Sequence, residues 1–200
     1  MKLNVGLKEF KKTYNQKRNQ VLYYKIKSKN SLEIENLINN FLDDKNSFIF
    51  ESVEKGKIKG RYTIFGKRPD KIWEFNQKKV SSIILGKKKI IKGDPKIILS
   101  KIIDDFRFKI PSSLPPMCSM IAGYFSYDTI RYIEKIKNSC KNDLKIPDIR
   151  LIRPTTLIIH DNFKKEIFFV KNIFSDIKIN NLEKKYFEIQ DEINSLLISS

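Results

Sequence analysis

SFIFESVEKGKIKGRYTIFG, residues 47–66, holds two apolar runs separated by a glycine- and lysine-rich segment. Phe48, Ile49 and Phe50 are a β-branched and aromatic run between polar neighbours, the pattern of a short, largely buried strand. Glu51 and Ser52 bring a carboxylate and a hydroxyl to the end of that run. Gly56 and Gly60 supply the backbone freedom of a tight return, and residues 61–65 read as the returning strand. A hairpin of this kind gathers Glu51, Ser52 and Arg61 at the mouth of a core, where the ammonium and carboxylate of an amino acid would both find partners. The plainer reading is that Glu51 and Arg61 pair with each other across the hairpin end.

Working outward from the hairpin, the chain alternates between strand and helix signals without a regular βαβ period. Upstream, residues 7–14 place Leu7, Phe10 and Tyr14 on one helical face, and residues 21–26 read as a strand. Asn30 with Glu33 three residues on opens a helix that carries Leu32, Ile34, Leu37, Ile38, Phe41 and Leu42 and ends near Asp43. Downstream, residues 71–76 carry Trp73 in a strand-like alternation, and 80–85 with 89–91 flank Gly86 as a second hairpin. Asp94 followed by Pro95 is a helix start, with Ile98, Leu99, Ile102, Ile103 and Phe106 continuing an apolar face toward Pro111.

Residues 111–116 are turn-rich, and 117–125 return to strand character, with Gly123 permitting close approach of another backbone or a ligand. Asp128 caps a short helix through Glu134. The plain reading of the aromatics Tyr124, Phe125 and Tyr127 is core packing. Lysine-rich residues 135–145 read as a loop. Residues 151–160 and 166–172 form a last strand pair around a turn at 161–165. His160, the one histidine, sits at a strand end beside no recognisable nucleophile and reads as structural. Residues 181–198 space Leu182, Tyr186, Ile189, Ile193 and Leu196 by fours and threes, an amphipathic helix in need of a partner. The fold class that follows is α+β, a mostly antiparallel sheet assembly flanked by several helices.

Two hundred residues with 40% hydrophobic and 12% aromatic content suit one or two domains and exclude a wholly disordered chain. A domain of this size buries roughly 70% of its unfolded surface. The formal charge of +17 invites nucleic acid as a partner. Lysine outnumbers arginine 33 to 7, however, and the lysines are spread along the whole chain with no recognition motif. Compositional bias explains that better than a selected binding face, so no nucleic-acid partner is expected. Cys118 and Cys140 lack CxxC spacing and a histidine cluster, so neither a zinc site nor a disulfide scaffold is indicated. No signal-peptide h-region and no membrane-length apolar run occurs. A soluble protein of the reducing cytoplasm is expected.

Three blocks carry a resemblance to a known family. FES followed by GRYTIFGKRPDKIWEF, LPPMCSMIAGYFSYDTIRYIE (residues 114–134) and IPDIRLIRPTTLIIHDNFKKEIFFV (residues 146–170) stand in the order and spacing found in component I of anthranilate synthase. Thr63 stands where serine is usual and Phe50 where leucine is usual. The resemblance implies that residues 1–200 are the N-terminal, regulatory part of a lyase component I. The full enzyme converts chorismate to anthranilate with ammonia from a glutamine amidotransferase subunit. The magnesium ion and the chorismate site are implied to belong to a C-terminal half whose motifs do not occur here, so no catalytic or metal residue is expected in this chain. Feedback inhibition by tryptophan is implied at a site that includes Glu51 and Ser52, with Arg61 as a neighbour. The related aminodeoxychorismate synthase component I and a stand-alone amino-acid-binding module are the alternative readings.

Overall fold

The computed structural model describes residues 2–28, 45–51, 60–77, 79–106, 110–137 and 144–198. The helix expected over residues 30–43, and Ser52, Gly56 and Cys140, lie outside the described residues. The described elements run, in chain order, α1 (Leu7–Asn15), β1 (Gln20–Lys27), β2 (Phe48–Phe50), β3 (Tyr62–Asn76), β4 (Lys79–Ile84) and β5 (Lys87–Ile91). They continue with α2 (Pro95–Asp105), β6 (Ala122–Phe125), β7 (Ile149–Asp161), β8 (Glu166–Ile173) and α3 (Leu182–Ile198). Short 3-10 turns cover Pro116–Cys118 and Tyr127–Tyr132. Registered strand pairs are antiparallel throughout, as the hairpin signals in the sequence require. The fold is α+β.

Contacts divide the chain into two compact units. The first holds residues 1–68, 110–119 and 154–200. In it β1 pairs β8, β8 pairs the far part of β7, β7 neighbours the first part of β3, and β2 pairs β3. All eight residues of β8 are buried, the mark of a central strand covered on both faces. Its core gathers Phe10 of α1, Leu22 of β1, Phe65 of β3, Ile158 of β7, Ile167 and Phe169 of β8, and Tyr186, Ile189 and Ile193 of α3. The amphipathic stripe read in α3 therefore finds its partner within the chain. Phe10 and Tyr186 meet at 5.6 Å between ring centroids, and the Tyr186 hydroxyl donates to the Val5 carbonyl at 2.8 Å. Asn181 caps α3 by accepting the Lys184 N–H at 2.9 Å.

A buried ion pair fastens α3 to the sheet. Lys171 of β8 donates from Nζ to both Glu192 carboxylate oxygens, at 2.9 and 2.8 Å, and to Thr156 Oγ1 at 2.7 Å. Arg68 reaches the same carboxylate at 3.1 Å. Burial pushes the Lys171 ammonium below the ordinary lysine value, against the pull of Glu192. Burial pushes the Glu192 carboxyl up, yet Lys171, Arg68 and Thr156 together bring it below the ordinary carboxylate range.

The second unit holds residues 69–109 and 120–153. There β3 pairs β4, β4 pairs β5, and β6 pairs the first part of β7. Trp73, Phe75, Val80, Ile98, Ile102, Ile149 and Leu151 form its core. Helix α2 begins as the sequence predicts: the Asp94 carboxylate accepts the Lys96 N–H at 2.8 Å, and Pro95 takes the first helical position.

One expectation is corrected. Residues 61–65 and 71–76 read as separate strands, but β3 runs unbroken for 15 residues through Pro69. Proline is tolerated because the preceding Arg68 takes a left-handed backbone (φ 52), a local irregularity of the kind where strands admit proline.

Candidate functional site

The hairpin is where the sequence places it. Phe48, Ile49 and Phe50 pair with Gly66, Phe65 and Ile64. Ile49 packs against the core of the first unit. Phe48 and Phe50 lie on the other face of the strand with ring centroids 4.8 Å apart. The Phe48 ring occupies the space a side chain at Gly66 would need: a Cβ built there falls 2.3 Å from two ring carbons. A side chain at 66 would thus need the aromatic ring opposite to shift. Phe50 is 44% exposed, so β2 ends in an open aromatic face. Glu51 follows directly and is exposed.

Arg61 immediately precedes β3, and its carboxylate partner is Asp161, at the end of β7. Its Nε donates to the two Asp161 oxygens at 3.0 and 3.2 Å, and its Nη2 donates to Oδ2 at 2.6 Å. The guanidinium lies 4.9 Å from the Tyr62 ring centroid and 5.6 Å from that of Phe163. Asp161 is 2% exposed and also accepts the Phe163 and Lys164 N–H groups, at 3.1 and 3.0 Å. Burial pushes its carboxyl up, but the bonds from Arg61 and the two amides, with the Arg61 charge, carry it below the ordinary carboxylate range. The Asp161 bond correspondingly raises Arg61. Asn162 completes the junction: its N–H donates to the Arg61 carbonyl at 2.8 Å, and its side-chain amide donates to Thr63 Oγ1 at 3.3 Å.

Of the three residues singled out in the sequence, Glu51 and Arg61 are therefore placed at the two chain ends of the hairpin connection, and Ser52 lies outside the described residues. Asp161 was missed as a member of this site. Its signal, an aspartate opening a turn between two strong strands, identified a turn but not the arginine 100 residues away that it binds.

In the second unit, Asp148 organises the residues around the Gly-Tyr-Phe-Ser-Tyr-Asp segment. Its carboxylate accepts the Gln77 N–H at 2.6 Å and the Tyr132 hydroxyl at 2.8 Å. Its carbonyl accepts the Ser126 N–H and the Thr129 hydroxyl. Burial pushes the Tyr132 phenol well up, and the bond to Asp148 adds to that. Gly123 brings β6 close to β7: a Cβ there would lie 2.0 Å from the Arg150 carbonyl oxygen. Core packing does not explain the aromatics of this segment, because Phe125 is 56% and Tyr127 93% exposed. In β6 only Ala122 is buried. A groove of about 360 Å³ lies between α2 and the 3-10 turn, lined chiefly by Phe75, Leu99, Ile103, Ile133 and Ile149.

His160 is buried within β7 opposite Ile167, as a structural histidine is. Burial raises the Cys118 thiol to about 12, which leaves it without thiolate character at neutral pH. Among the described residues there is no group of three or more His, Cys, Asp or Glu side chains that could hold a metal ion. Among them, too, no helix is long and apolar enough to cross a membrane.

The chain is similar to component I of anthranilate synthase over about four-fifths of its length. The chain is 27% identical over 172 residues to anthranilate synthase component 1 of Cereibacter sphaeroides, a match that covers 82% of this chain and 34% of that protein. It is 27% identical over 161 residues to the component 1 of Acetivibrio thermocellus, covering 80% of this chain and 32% of the relative. It is 30% identical over 164 residues to the chloroplastic anthranilate synthase alpha subunit 2 of Arabidopsis thaliana, covering 76% and 26%. Among solved structures, anthranilate synthase component I from Streptococcus pneumoniae superposes with a TM-score of 0.53 over 78% of this chain and 33% of that one, at 21% identity. That likeness concerns the fold. The chain spans about a third of the length of the curated relatives it matches. No protein-family model matches it.

Proposed function

We propose that this chain is the N-terminal, regulatory part of an anthranilate synthase component I and carries the tryptophan feedback site. The observation that carries the proposal is the pairing of Phe48–Phe50, which Glu51 follows, with the strand that Arg61 precedes, in a chain similar to component I over four-fifths of its length. In this reading the full enzyme is a cytoplasmic lyase that turns chorismate into anthranilate with ammonia from a glutamine amidotransferase subunit. Magnesium and chorismate are held outside this stretch.

The chemistry of the strand end suits an amino acid with an aromatic side chain. The Glu51 carboxylate is exposed and pairs with the effector's ammonium, Ser52 adds a hydrogen bond, and the open Phe50 ring gives the indole an apolar surface. Arg61 stands at the other end of the connection. Inhibition is then a coupling between two sites, tryptophan favouring an arrangement that binds chorismate poorly.

The test is calorimetric titration of the full chain with L-tryptophan. Glu51→Gln and Ser52→Ala should each weaken binding, by roughly ten- to a hundredfold for the charged contact. Unchanged affinity in both variants would remove the site from this hairpin. A wild-type chain that binds no tryptophan would leave the alternatives, aminodeoxychorismate synthase component I among them, to be tested with their own effectors.

A further inference from the structure

We propose that Arg61 serves the effector site as a positioning residue: its guanidinium, committed to buried Asp161, fixes the mouth of the β2–β3 hairpin against the β7–β8 turn and does not receive the effector's carboxylate. The inference rests on the tryptophan reading above and refines the part played by one residue in it.

Three observations lead there. The Nε and Nη2 edge of the guanidinium is spent on Asp161, with the shortest contact at 2.6 Å. Planar, bidentate pairing is the geometry in which arginine binds a carboxylate best, so the edge most suited to an incoming carboxylate is already used. Asp161 is itself held from the other side by the Phe163 and Lys164 amides. A carboxylate gripped by an arginine fork and two backbone donors in a buried position does not yield to a solvated competitor. Finally, the contacts form one junction. Asn162 bonds the Arg61 carbonyl and the Thr63 hydroxyl, and the Tyr62 and Phe163 rings lie beside the guanidinium. The first residues of β3 and the turn after β7 are thus tied to each other at several points.

The consequence is a division of labour. An effector carboxylate arriving at this mouth meets a neutralised pair, with Asp161 just behind the positive charge. Recognition by charge falls to Glu51 and the ammonium. Arg61 sets the position of the chain on which the returning strand begins.

The experiment titrates the full chain with L-tryptophan and with tryptamine, which keeps the indole and ammonium but lacks the carboxylate. Wild type, Asp161→Asn, Arg61→Lys and the double variant are compared. Positioning predicts that both single variants weaken both ligands by the same factor, about 2- to 30-fold, and that the double variant is no worse than either. Asp161→Asn separates the two roles without altering Arg61. Releasing the guanidinium would strengthen tryptophan binding by a direct ligand, but weakens it for a positioning residue. Arg61→Lys keeps the charge and loses the fork, so a direct ligand would keep most of its preference for tryptophan over tryptamine. The ratio of the two affinities is read on folded molecules, so partial loss of folding in a variant leaves it unmoved. Tighter tryptophan binding in Asp161→Asn, or a loss in Arg61→Lys confined to tryptophan, overturns the inference and leaves the effector site standing. A wild-type chain that binds neither ligand overturns the tryptophan reading, and the inference falls with it.

Discussion

Removing Glu192 should cost more than removing Lys171, although the two form one ion pair. Lys171 is 5% exposed in its side chain and Glu192 15%. Glu192→Leu leaves the Lys171 ammonium buried with only the Thr156 hydroxyl of its present partners. An uncompensated buried charge of that kind costs about 3–5 kcal/mol. Lys171→Met is milder, because the Glu192 carboxylate keeps Arg68 at 3.1 Å and the Thr156 hydroxyl at 2.9 Å. Losing one charge-assisted contact while others remain costs about 1–3 kcal/mol. In a chain of this size 1 kcal/mol moves the melting temperature by about 2–4 °C. The expected losses are therefore roughly 6–20 °C for Glu192→Leu and about 2–12 °C for Lys171→Met. The double variant should recover part of the Glu192→Leu loss, since an apolar pair strands no charge. Far-ultraviolet circular dichroism melts of the four full-length proteins decide it. A Lys171→Met loss equal to or larger than that of Glu192→Leu, or a Glu192→Leu loss under about 1 kcal/mol, would refute the account of which partner is left uncompensated.

Gly123→Ala should separate β6 from β7, because the new Cβ meets the Arg150 carbonyl at 2.0 Å and the Leu151 Cα at 2.9 Å. A loss of about 1–3 kcal/mol is expected, with faster amide exchange at Tyr124 and Phe125. Gly6→Ala, where nothing lies within 4 Å of the added carbon, is the control, and equal behaviour of the two would contradict the close approach. Acid should destabilise the first unit through Asp161, Glu166 and Glu192. Bonds to Lys25 pull Glu166 below its ordinary value as Arg61 and the turn amides do Asp161. A carboxyl whose folded pKa is depressed contributes fully above its unfolded value, 3.8 for aspartate and 4.5 for glutamate. That contribution is lost as pH falls through the lower folded values. Urea unfolding below about pH 4.5 should show this decline, shallower in Asp161→Asn. A variant as steep as wild type would remove Asp161 from the account.

Much of this protein was determined by local sequence. The Asp94-Pro95 helix start, the four-and-three spacing of α3 and the strands on either side of the turn at 161–165 all appear as read, because each depends on residues within a few positions of one another; the 48–50 run forms its strand for the same reason but is half-exposed where a largely buried strand is read. Glu51 was legible as a candidate for the same reason: it stands at the end of an apolar strand. What only the tertiary structure decided lies in contacts between distant positions. Arg61 meets Asp161 across 100 residues, Asp148 takes its proton donors from Gln77 and Tyr132, and Phe48 lies over Gly66. The aromatics of residues 124–127 looked like core and are exposed, since their pattern states that they are apolar and not which face the neighbouring strand covers. Periodicity along a chain reports which side of an element is apolar. The identity of a charge's partner depends on which elements the fold brings side by side, and no run of neighbouring residues carries that.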